Sequence, residues 1–365
     1  MNKIVFVHLF NDRSGSPKVL SDVIRVAENR SLDYDLITSS DSDGFLSKYK
    51  NNTVCVFYKR SENKLLTLFY YLFSQIHLAC ICFKYRGERV SFYVNTMMPF
   101  SAGIVGKILG CEIIYHIHET SVRPFILKKF LRYVVQHTAT KVIYVSKFLK
   151  NNELFPGVDS DVIYNAVASI ENDKTKDLIC LKSCRPIFNV LMVCSLKKYK
   201  GVFEFIELAK KFIDIEGYVF TMVLNARDSE ISDYMDISQL PKNLVVFPRQ
   251  NNLYPFYQEA SLVLNLSRPD EWIETFGLTI LEAMIFGVPV IVPPVGGPAE
   301  IVRDDKDGYL ISCYNINEIY ERILKLRNDE ETYKEVALNA LSRSLEFDID
   351  SFDRHIIHLL NHGAI

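Results

Sequence analysis

Residues 271–311 read EWIETFGLTILEAMIFGVPVIVPPVGGPAEIVRDDKDGYLI and hold the most informative pattern in the chain. Two acids, Glu274 and Glu282, stand on either side of a Phe-Gly turn, with seven residues between them. The turn opens an apolar helix, predicted over 278–286, in which Glu282 is the one acid. A carboxylate is costly in so apolar a helix unless a polar group meets it. The pattern therefore predicts a polar partner for Glu282.

That partner is expected near the start of the helix. Helical side chains lean toward the N-terminus, so Glu282 should point at the loop that holds Glu274. The N–H groups near Phe276, Gly277 and Leu278 lie at the same place, and free N–H groups at a helix start suit a phosphate. Carboxylates suit hydroxyl groups, and a nucleotide sugar offers both. The alternative is a buried helix with a capping acid.

The order E-T-F-G, L-E-A-M, G-V-P-V and G-G-P-A-E resembles the E-x7-E region of retaining glycosyltransferases of family 4. The resemblance implies a GT-B fold, in which two doubly wound Rossmann-like domains face an interdomain cleft. It also implies a nucleoside diphosphate sugar as the donor and no cofactor. Glu282 would then bind ribose hydroxyls, and Glu274 would bind the transferring sugar near its anomeric carbon.

A lysine-rich turn, SLKKYKG at 195–201, follows an apolar run that we interpret as a strand. In the resembled family this position reads G-R-L-x-x-x-K-G, and its Arg and Lys hold the donor diphosphate. Lys200 matches the Lys, whereas Ser195 stands at the Arg position. A diphosphate leaving group without a metal needs about two positive charges. Lys197, Lys198 or Arg249 could supply the second one, and the alternative is a surface lysine cluster.

Two features of the first half could face the same ligand. His116 and His118 share one face of a predicted strand, but no further ligand cluster supports a metal site. The resembled family places a histidine at this strand end, close to the reacting sugar, and His118 is the better match; the alternative is a polar core histidine. Gly15 and Ser16 lie where that family has a small-residue loop for donor and acceptor, although such a glycine is often only a turn.

Short apolar runs alternate with amphipathic stretches, which predicts α/β architecture with parallel sheets. The predicted strands cover 4–9, 53–57, 91–94, 113–116, 141–145, 189–194, 219–224, 244–247, 262–266, 288–292 and 308–311. We predict an acceptor-side N-terminal domain over 1–168, a linker over 169–186 and a nucleotide-sugar-binding domain over 187–345. The resemblance implies that a C-terminal helix, 346–365, packs back on the first domain.

Composition fits a folded intracellular enzyme. The 365 residues are 48% hydrophobic, and the eight cysteines make no zinc spacing. Without a secretion signal we expect reduced thiols and a cytoplasmic location. Residues 1–170 carry 21 Lys and Arg against 14 Asp and Glu, while the rest carries 21 against 30. A basic first half favours anionic partners, but no nucleic-acid-binding motif is present.

Two segments of the first half bear on membrane contact. Residues 65–83 are apolar enough for a membrane span, but we interpret them as a buried core helix. The alternatives are an interfacial helix, favoured by the basic residues that follow, and a true span. Residues 123–132, RPFILKKFLR, alternate Lys128, Lys129 and Arg132 with apolar residues. This segment is predicted to lie on an anionic membrane surface, and the alternative is a solvated helix face.

These patterns predict a retaining, metal-independent glycosyltransferase, peripheral at the inner face of the membrane, that serves glycan or polysaccharide biosynthesis. It would move a sugar from a nucleotide sugar donor to a glycan or lipid-linked acceptor. Lys200 would take the developing diphosphate charge, and His118 would contact the sugar. Two alternatives are a nucleotide-sugar epimerase of the same fold and a non-catalytic partner subunit. A nicotinamide oxidoreductase lacks its G-x-G-x-x-G signature here.

Overall fold

A computed structural model describes residues 3–40, 43–59, 61, 63–168 and 172–362. The chain forms two compact units, one made of Met1–Asn165 with Asp350–Ile365 and the other of Ala166–Ile349. In the described residues each unit holds one sheet whose strands all run parallel. Helices connect these strands, because parallel neighbours need a crossover. The predicted α/β class is confirmed.

The first unit has strands β1 (Lys3–Val7), β2 (Tyr34–Ser39), β3 (Thr53–Val56), β4 (Val90–Asn95), β5 (Glu112–Ile117), β6 (Lys141–Tyr144) and β7 (Asp159–Val162). Its first helices are α1 (Gly15–Asn29), α2 (Lys64–Cys82), α3 (Phe100–Ile108), α4 (Phe125–Thr138) and α5 (Lys147–Asn152). Short 3-10 turns cover Ser47–Asn52 and Phe83–Tyr85. The sheet order is β3-β2-β1-β4-β5-β6-β7, so the chain starts in the middle of the sheet and reverses direction between β1 and β4.

The second unit repeats this plan with strands β8 (Phe188–Cys194), β9 (Tyr218–Leu224), β10 (Leu244–Phe247), β11 (Leu262–Leu264), β12 (Val290–Val292) and β13 (Tyr309–Leu310). Its helices are α6 (Asn172–Ser183), α7 (Val202–Lys211), α8 (Asp228–Tyr234), α9 (Tyr254–Glu259), α10 (Leu278–Met284), α11 (Pro298–Ile301), α12 (Ile316–Asn328) and α13 (Glu330–Ser344). Three 3-10 turns cover Lys198–Lys200, Ile237–Gln239 and Leu345–Phe347. The order β10-β9-β8-β11-β12-β13 places the reversal between β8 and β11.

The last helix is α14 (Ile349–His362), and its residues from Asp350 onward belong to the first unit. Arg25 on α1 donates two hydrogen bonds, of 2.9 and 2.7 Å, to the Asp353 carboxylate on α14. Phe352 and Ile356 are buried on the same helix. Residues 363–365 of the predicted C-terminal segment lie outside the described residues.

Two strands were missing from the prediction. In β2 only Leu36 and Ile37 form an apolar pair, and the Thr38 and Ser39 that follow are polar yet buried. In β7 the sequence DSDV carries no hydrophobic signal, because this edge strand alternates exposed and half-buried residues. Lys141 of the neighbouring strand β6 lies 3.1 Å from Asp159 and 2.7 Å from Asp161, so ion pairs replace apolar contacts at this edge.

The predicted linker, 169–186, differs from the structure. Its residues 169–171 lie outside the described residues, but Asn172–Ser183 forms helix α6, which packs against α13 in the second unit. Ile179 and Lys182 on α6 are almost fully buried. The Lys182 ammonium donates to the backbone carbonyls of Tyr257 (3.1 Å) and Phe286 (3.2 Å), which explains how a polar segment folds into the unit.

The interpretation of 65–83 as a buried core helix is wrong for most of its length. The helix forms, but one face of α2 is exposed: Leu65, Phe69 and Ile76 retain 78%, 62% and 64% of their accessible surface. The reason is that α2 is apolar on more than one side, and only the side with Tyr71, Gln75 and Leu78 is buried in the unit, where α2 packs against α3.

Candidate active site

In a doubly wound sheet, ligands bind beyond the carboxyl ends of the strands where the order reverses. In the second unit these strands are β8 and β11, paired through Leu262 with Val190 and Val263 with Leu191. The segment after β8 leads to Lys200, and the segment after β11 leads to Glu274. The topology therefore explains how two residues 74 positions apart in sequence meet.

Lys200 and Glu274 form a direct ion pair through the ammonium and Oε1. Their side chains are only 15% and 18% exposed. The Ser267 hydroxyl donates to the same carboxylate oxygen at 3.0 Å, and Asn265 adds a further hydrogen bond. Burial alone would raise the pKa of Glu274, but the Lys200 charge and these hydrogen bonds bring that pKa below its usual value. Glu274 is thus held as an anion, an acceptor for hydroxyl groups.

Two glycines hold the backbone segments of this pair together. Gly201 has φ +82°, and a Cβ there would lie 2.2 Å from the carbonyl oxygen of Leu266. Gly296 has φ +81°, and its Cβ would lie 2.3 Å from the carbonyl oxygen of Glu274. Both positions combine a left-handed backbone with a close approach that excludes a side chain. The glycines of the K-G and G-G-P motifs therefore pack the loops around the pair.

An aromatic pair supports Lys200 from the other side. Tyr199 and Trp272 stack with ring centroids 5.1 Å apart and planes 18° from parallel. The Lys200 ammonium lies 5.9 Å and 5.8 Å from the two ring centroids, within the range of a cation–π attraction. The stacking of Trp272 with Tyr199 carries no sequence signal of its own.

Glu282 lies on α10, which begins at Leu278 after Gly277, whose φ is +119°. The buried hydroxyl of Tyr257 donates to Glu282 Oε2 at 2.8 Å. Burial and the charge of Glu282 raise the pKa of Tyr257 well above its ordinary value, so the phenol stays a donor. This polar partner satisfies part of the cost of a carboxylate in an apolar helix, and the sequence pattern could not identify it.

The other predicted donor-binding residues are distributed around this centre. Phe276 has a buried side chain that packs edge-on against Phe347, with centroids 6.1 Å apart, so only its backbone is suited to a ligand. The Ser195 carbonyl accepts from the backbone N–H of Lys197 at 2.8 Å, and the Lys197 side chain is exposed. Arg249 donates from Nε to Asn225 Oδ1 at 2.7 Å, at the end of β9. Which cation accompanies Lys200 stays a prediction.

The first unit gathers its predicted residues around Asn95, at the end of β4. The Asn95 amide nitrogen donates to the Ser16 carbonyl at 3.1 Å and to His8 Nδ1 at 3.0 Å, while its oxygen lies 2.8 Å from His118 Nε2. Gly15 is exposed at the first position of α1. The structure therefore links His118 to the Gly15–Ser16 turn through a residue that sequence reasoning missed, although Asn95 directly follows the predicted strand 91–94.

The charge state of this cluster follows from its burial. Burial, with the neighbouring His116 and His8, lowers the pKa of His118 well below its ordinary value, so His118 is neutral. Burial also lowers the pKa of His116 to about 3, and its Nδ1 lies 2.8 Å from the Tyr93 hydroxyl. Burial raises the pKa of Glu119 to about 7, although it accepts hydrogen bonds from the N–H groups of Met97 (2.8 Å) and His118 (3.1 Å).

Across the described part of the chain, no group of three or more His, Cys, Asp or Glu residues is placed to hold a metal ion. The paired histidines 116 and 118 stand with ring centroids 4.3 Å apart, and each is engaged by a neighbour, Tyr93 or Asn95. Metal independence itself remains a prediction about the reaction.

Comparisons with known proteins identify similar glycosyltransferases. Residues 188–343 match the family model described as glycosyl transferases group 1. The chain is 24% identical over 357 residues to the Staphylococcus aureus capsular polysaccharide biosynthesis glycosyltransferase CapM, covering 90% of each chain. It is 25% identical over 374 residues to the Escherichia coli UDP-Gal:alpha-D-GlcNAc-diphosphoundecaprenol alpha-1,3-galactosyltransferase, covering 94% of this chain and 90% of that one.

Among solved structures, Anabaena HepE in complex with UDP and glucose is similar in fold. Its TM-score is 0.79 at 20% sequence identity, over 99% of this chain and 100% of that chain. The two parallel sheets and this similarity confirm the GT-B fold class. The protein is a glycosyltransferase, and its residues 188–343 match the model of glycosyl transferases group 1.

Proposed function

We propose that the protein is a retaining, metal-independent glycosyltransferase of family 4 that acts at the cytoplasmic face of a membrane. It takes a sugar from a nucleoside diphosphate sugar and attaches it to a hydroxyl of a glycan or lipid-linked acceptor. The anomeric C–O bond to the diphosphate breaks, and its electron pair stays on the diphosphate. The acceptor oxygen bonds to the anomeric carbon on the same face, and its proton passes to a diphosphate oxygen.

The observation that carries this proposal is the Lys200–Glu274 pair at the point where the strand order of the second unit reverses. A fixed ammonium stabilises the charge that develops on the leaving diphosphate, and it does so without a metal. The adjacent ionised carboxylate accepts hydrogen bonds from sugar hydroxyls and orients the anomeric carbon. One polar centre thus meets both halves of a nucleotide sugar.

The remaining residues fit supporting roles. Glu282, held by Tyr257, binds the ribose hydroxyls. The N–H groups at Gly277 and Leu278 face the diphosphate from the start of α10. In the first unit, the lowered pKa of His118 keeps this residue neutral, and the role in sugar binding that the family resemblance implies for it stays a prediction.

The names of the relatives support the proposed classes of donor and acceptor. The Staphylococcus aureus relative is named for capsular polysaccharide biosynthesis. The Escherichia coli relative is named for a UDP-sugar donor and an acceptor on a polyprenyl diphosphate. HepE was solved with UDP and with UDP-glucose. A uridine diphosphate sugar and a lipid-linked acceptor are therefore the first substrates to test.

The test is a two-stage screen. Nucleotide sugars are first ranked by the thermal stabilisation they give the full chain, since a ligand that binds only the folded state raises its melting temperature. The best donor is then incubated with and without lipid-linked acceptors, and release of nucleoside diphosphate is measured. Release that depends on an acceptor supports the proposal. Conversion of the donor without any acceptor would indicate an epimerase, and no binding of any nucleotide sugar would refute the assignment.

A further inference from the structure

Helix α2 presents one continuous apolar stripe to the surface. Leu65, Phe69, Leu72, Ile76 and Phe83 follow one another at spacings of three, four or seven residues, which places them on one face of the helix and its extension. Their exposed fractions are 78%, 62%, 50%, 64% and 44%. Phe73 and Leu68 widen this stripe at 48% and 47%. We call these seven residues the α2 face.

The opposite side of α2 is buried and mixes polar residues with apolar ones, among them Leu78, Ile81 and Cys82. Ser74 and Gln75 are buried, and Gln75 Oε1 accepts from the Ser101 hydroxyl at 3.2 Å. The Tyr71 hydroxyl donates to the Met98 carbonyl at 2.8 Å. A helix on a water-exposed surface normally buries its apolar side and shows its polar one. Helix α2 instead carries apolar residues on its exposed side as well as on its buried side, which indicates that the α2 face meets an apolar phase.

The helix is nevertheless part of the folded unit. It is long and apolar enough to cross a membrane by length and composition, and an 18-residue window within 65–85 has a mean hydropathy of 1.6. However, it packs along α3, and its buried hydrogen bonds to Ser101 and Met98 would have to break before it could span a bilayer. Burying a polar group without a partner is costly, so α2 fits a position in the plane of the interface.

The positive charge next to α2 indicates which apolar phase the α2 face meets. Lys84, Arg86 and Arg89 are exposed directly after α2. The first half carries 21 basic against 14 acidic residues. A second copy of this chain would bring the same positive charge to the contact, whereas an anionic bilayer offers both an apolar interior and a complementary surface.

The basic charges of helix α4 are less available for this role than its sequence suggested. Lys128 and Arg132 both form ion pairs with Glu153, a buried carboxylate. Their charges are therefore used inside the unit, and of the three basic residues predicted to meet lipid Lys129 is the exposed one. The Lys129 ammonium lies 4.8 Å from the Phe125 ring centroid.

We propose that the α2 face inserts into the headgroup region of an anionic membrane, with Lys84, Arg86 and Arg89 at the lipid phosphates. Membrane binding would then be driven mainly by α2 and only secondarily by α4. The insertion itself is independent of the proposed function. One consequence of insertion does rest on the proposed function: a lipid-linked acceptor would reach the first unit without leaving the bilayer.

The experiment uses flotation of the full chain with vesicles of phosphatidylglycerol and phosphatidylcholine, and with phosphatidylcholine alone. The test variant is Phe69→Gln/Leu72→Gln/Ile76→Gln, which keeps good helix formers on an exposed face. The matched control, Ile237→Gln/Val245→Gln/Leu338→Gln, removes three apolar side chains of 50%, 45% and 44% exposure from the second unit. Circular dichroism and nucleotide binding by calorimetry are measured on both variants.

We expect the wild type and the control to float with the anionic vesicles. The α2 variant should lose at least about a hundredfold in partition coefficient, because each buried apolar side chain contributes to insertion. Wild-type protein that floats with neither vesicle, or an α2 variant that floats like the wild type, would overturn the proposal. So would a dimer that the α2 substitutions dissociate while vesicle binding is absent. Nucleotide binding that persists in the α2 variant separates this outcome from a failure of the proposed function.

Discussion

Replacing Lys200 by Met tests the centre of the site, because it removes the cation and leaves Glu274 in place. Removing one partner of a buried ion pair typically costs about 3–5 kcal/mol. Here the two side chains are 15% and 18% exposed, and Glu274 keeps its hydrogen bonds from Ser267 and Asn265. Since Glu274 can also take up a proton, we expect the lower end, about 3 kcal/mol in the free energy of unfolding at neutral pH.

The loss should depend on pH in a defined direction. In the wild type the pKa of Glu274 is lowered, so the group contributes stability above its unfolded pKa of about 4.3 and loses it as the pH falls through its folded pKa. Without Lys200, burial dominates and raises the pKa of Glu274, so the group costs stability as the pH rises above about 4.3. The difference between variant and wild type should be small near pH 4 and largest at neutral pH.

Denaturant unfolding at several pH values measures the difference in unfolding free energy between Lys200→Met and the wild type. Lys198→Met is the matched control. Lys198 is exposed and lies on the same 3-10 turn, Lys198–Lys200. With the donor and acceptor from the screen, Lys200→Met should also lower turnover by about a hundredfold or more, the size expected for a lost charge-stabilising group. Equal stability of the two variants at neutral pH, together with equal turnover, would refute the assigned role of the pair.

Three further outcomes are expected. Glu274→Ala should lower turnover by roughly a hundredfold with nearly unchanged nucleoside diphosphate affinity, whereas Glu282→Ala should weaken that affinity in calorimetry. A fully active Glu274→Ala variant would contradict the assigned site. Burial raises the pKa of Glu119 to about 7, so this group lowers the free energy of unfolding as the pH rises from about 4.5 to 7. The Glu119→Gln variant should therefore lose less unfolding free energy over that interval than the wild type. Identical pH profiles of the two proteins would refute this. Activity should persist in EDTA, and a complete loss restored by magnesium or manganese would overturn metal independence.

Much of the fold could be predicted because parallel strands buried on both faces read as short apolar runs. The strands β8, β9 and β10 fall within a residue of their predicted bounds for this reason. The edge strand β7 was not predicted, because its DSDV sequence is stabilised by ion pairs with Lys141 that no local pattern reveals. The helix α2 was misjudged because hydrophobicity predicts burial, and only the packed structure shows which side faces outward.

The candidate site could be predicted in its parts but not in its contacts. Glu282 was visible because it interrupts an apolar helix, and Lys200 and Glu274 were visible because they match motifs of the resembled family. Their partners Ser267 and Tyr257 were not, and neither was Asn95, the partner of His118, since each comes from a separate strand end or helix and is an ordinary polar residue in sequence. The ion pairs of Lys128 and Arg132 with Glu153 show the same limit, because long-range pairing decides whether a basic residue remains available.

The anomeric configuration of the product tests the central claim most directly. Wild-type protein is incubated with the identified α-linked nucleotide sugar and its acceptor, and proton NMR records the anomeric coupling of the first product formed. The account predicts an α-linked glycoside that forms only with acceptor present and is nearly absent with Glu274→Ala. A β-linked product would contradict retention, and a donor altered or hydrolysed equally fast without acceptor would contradict glycosyl transfer itself.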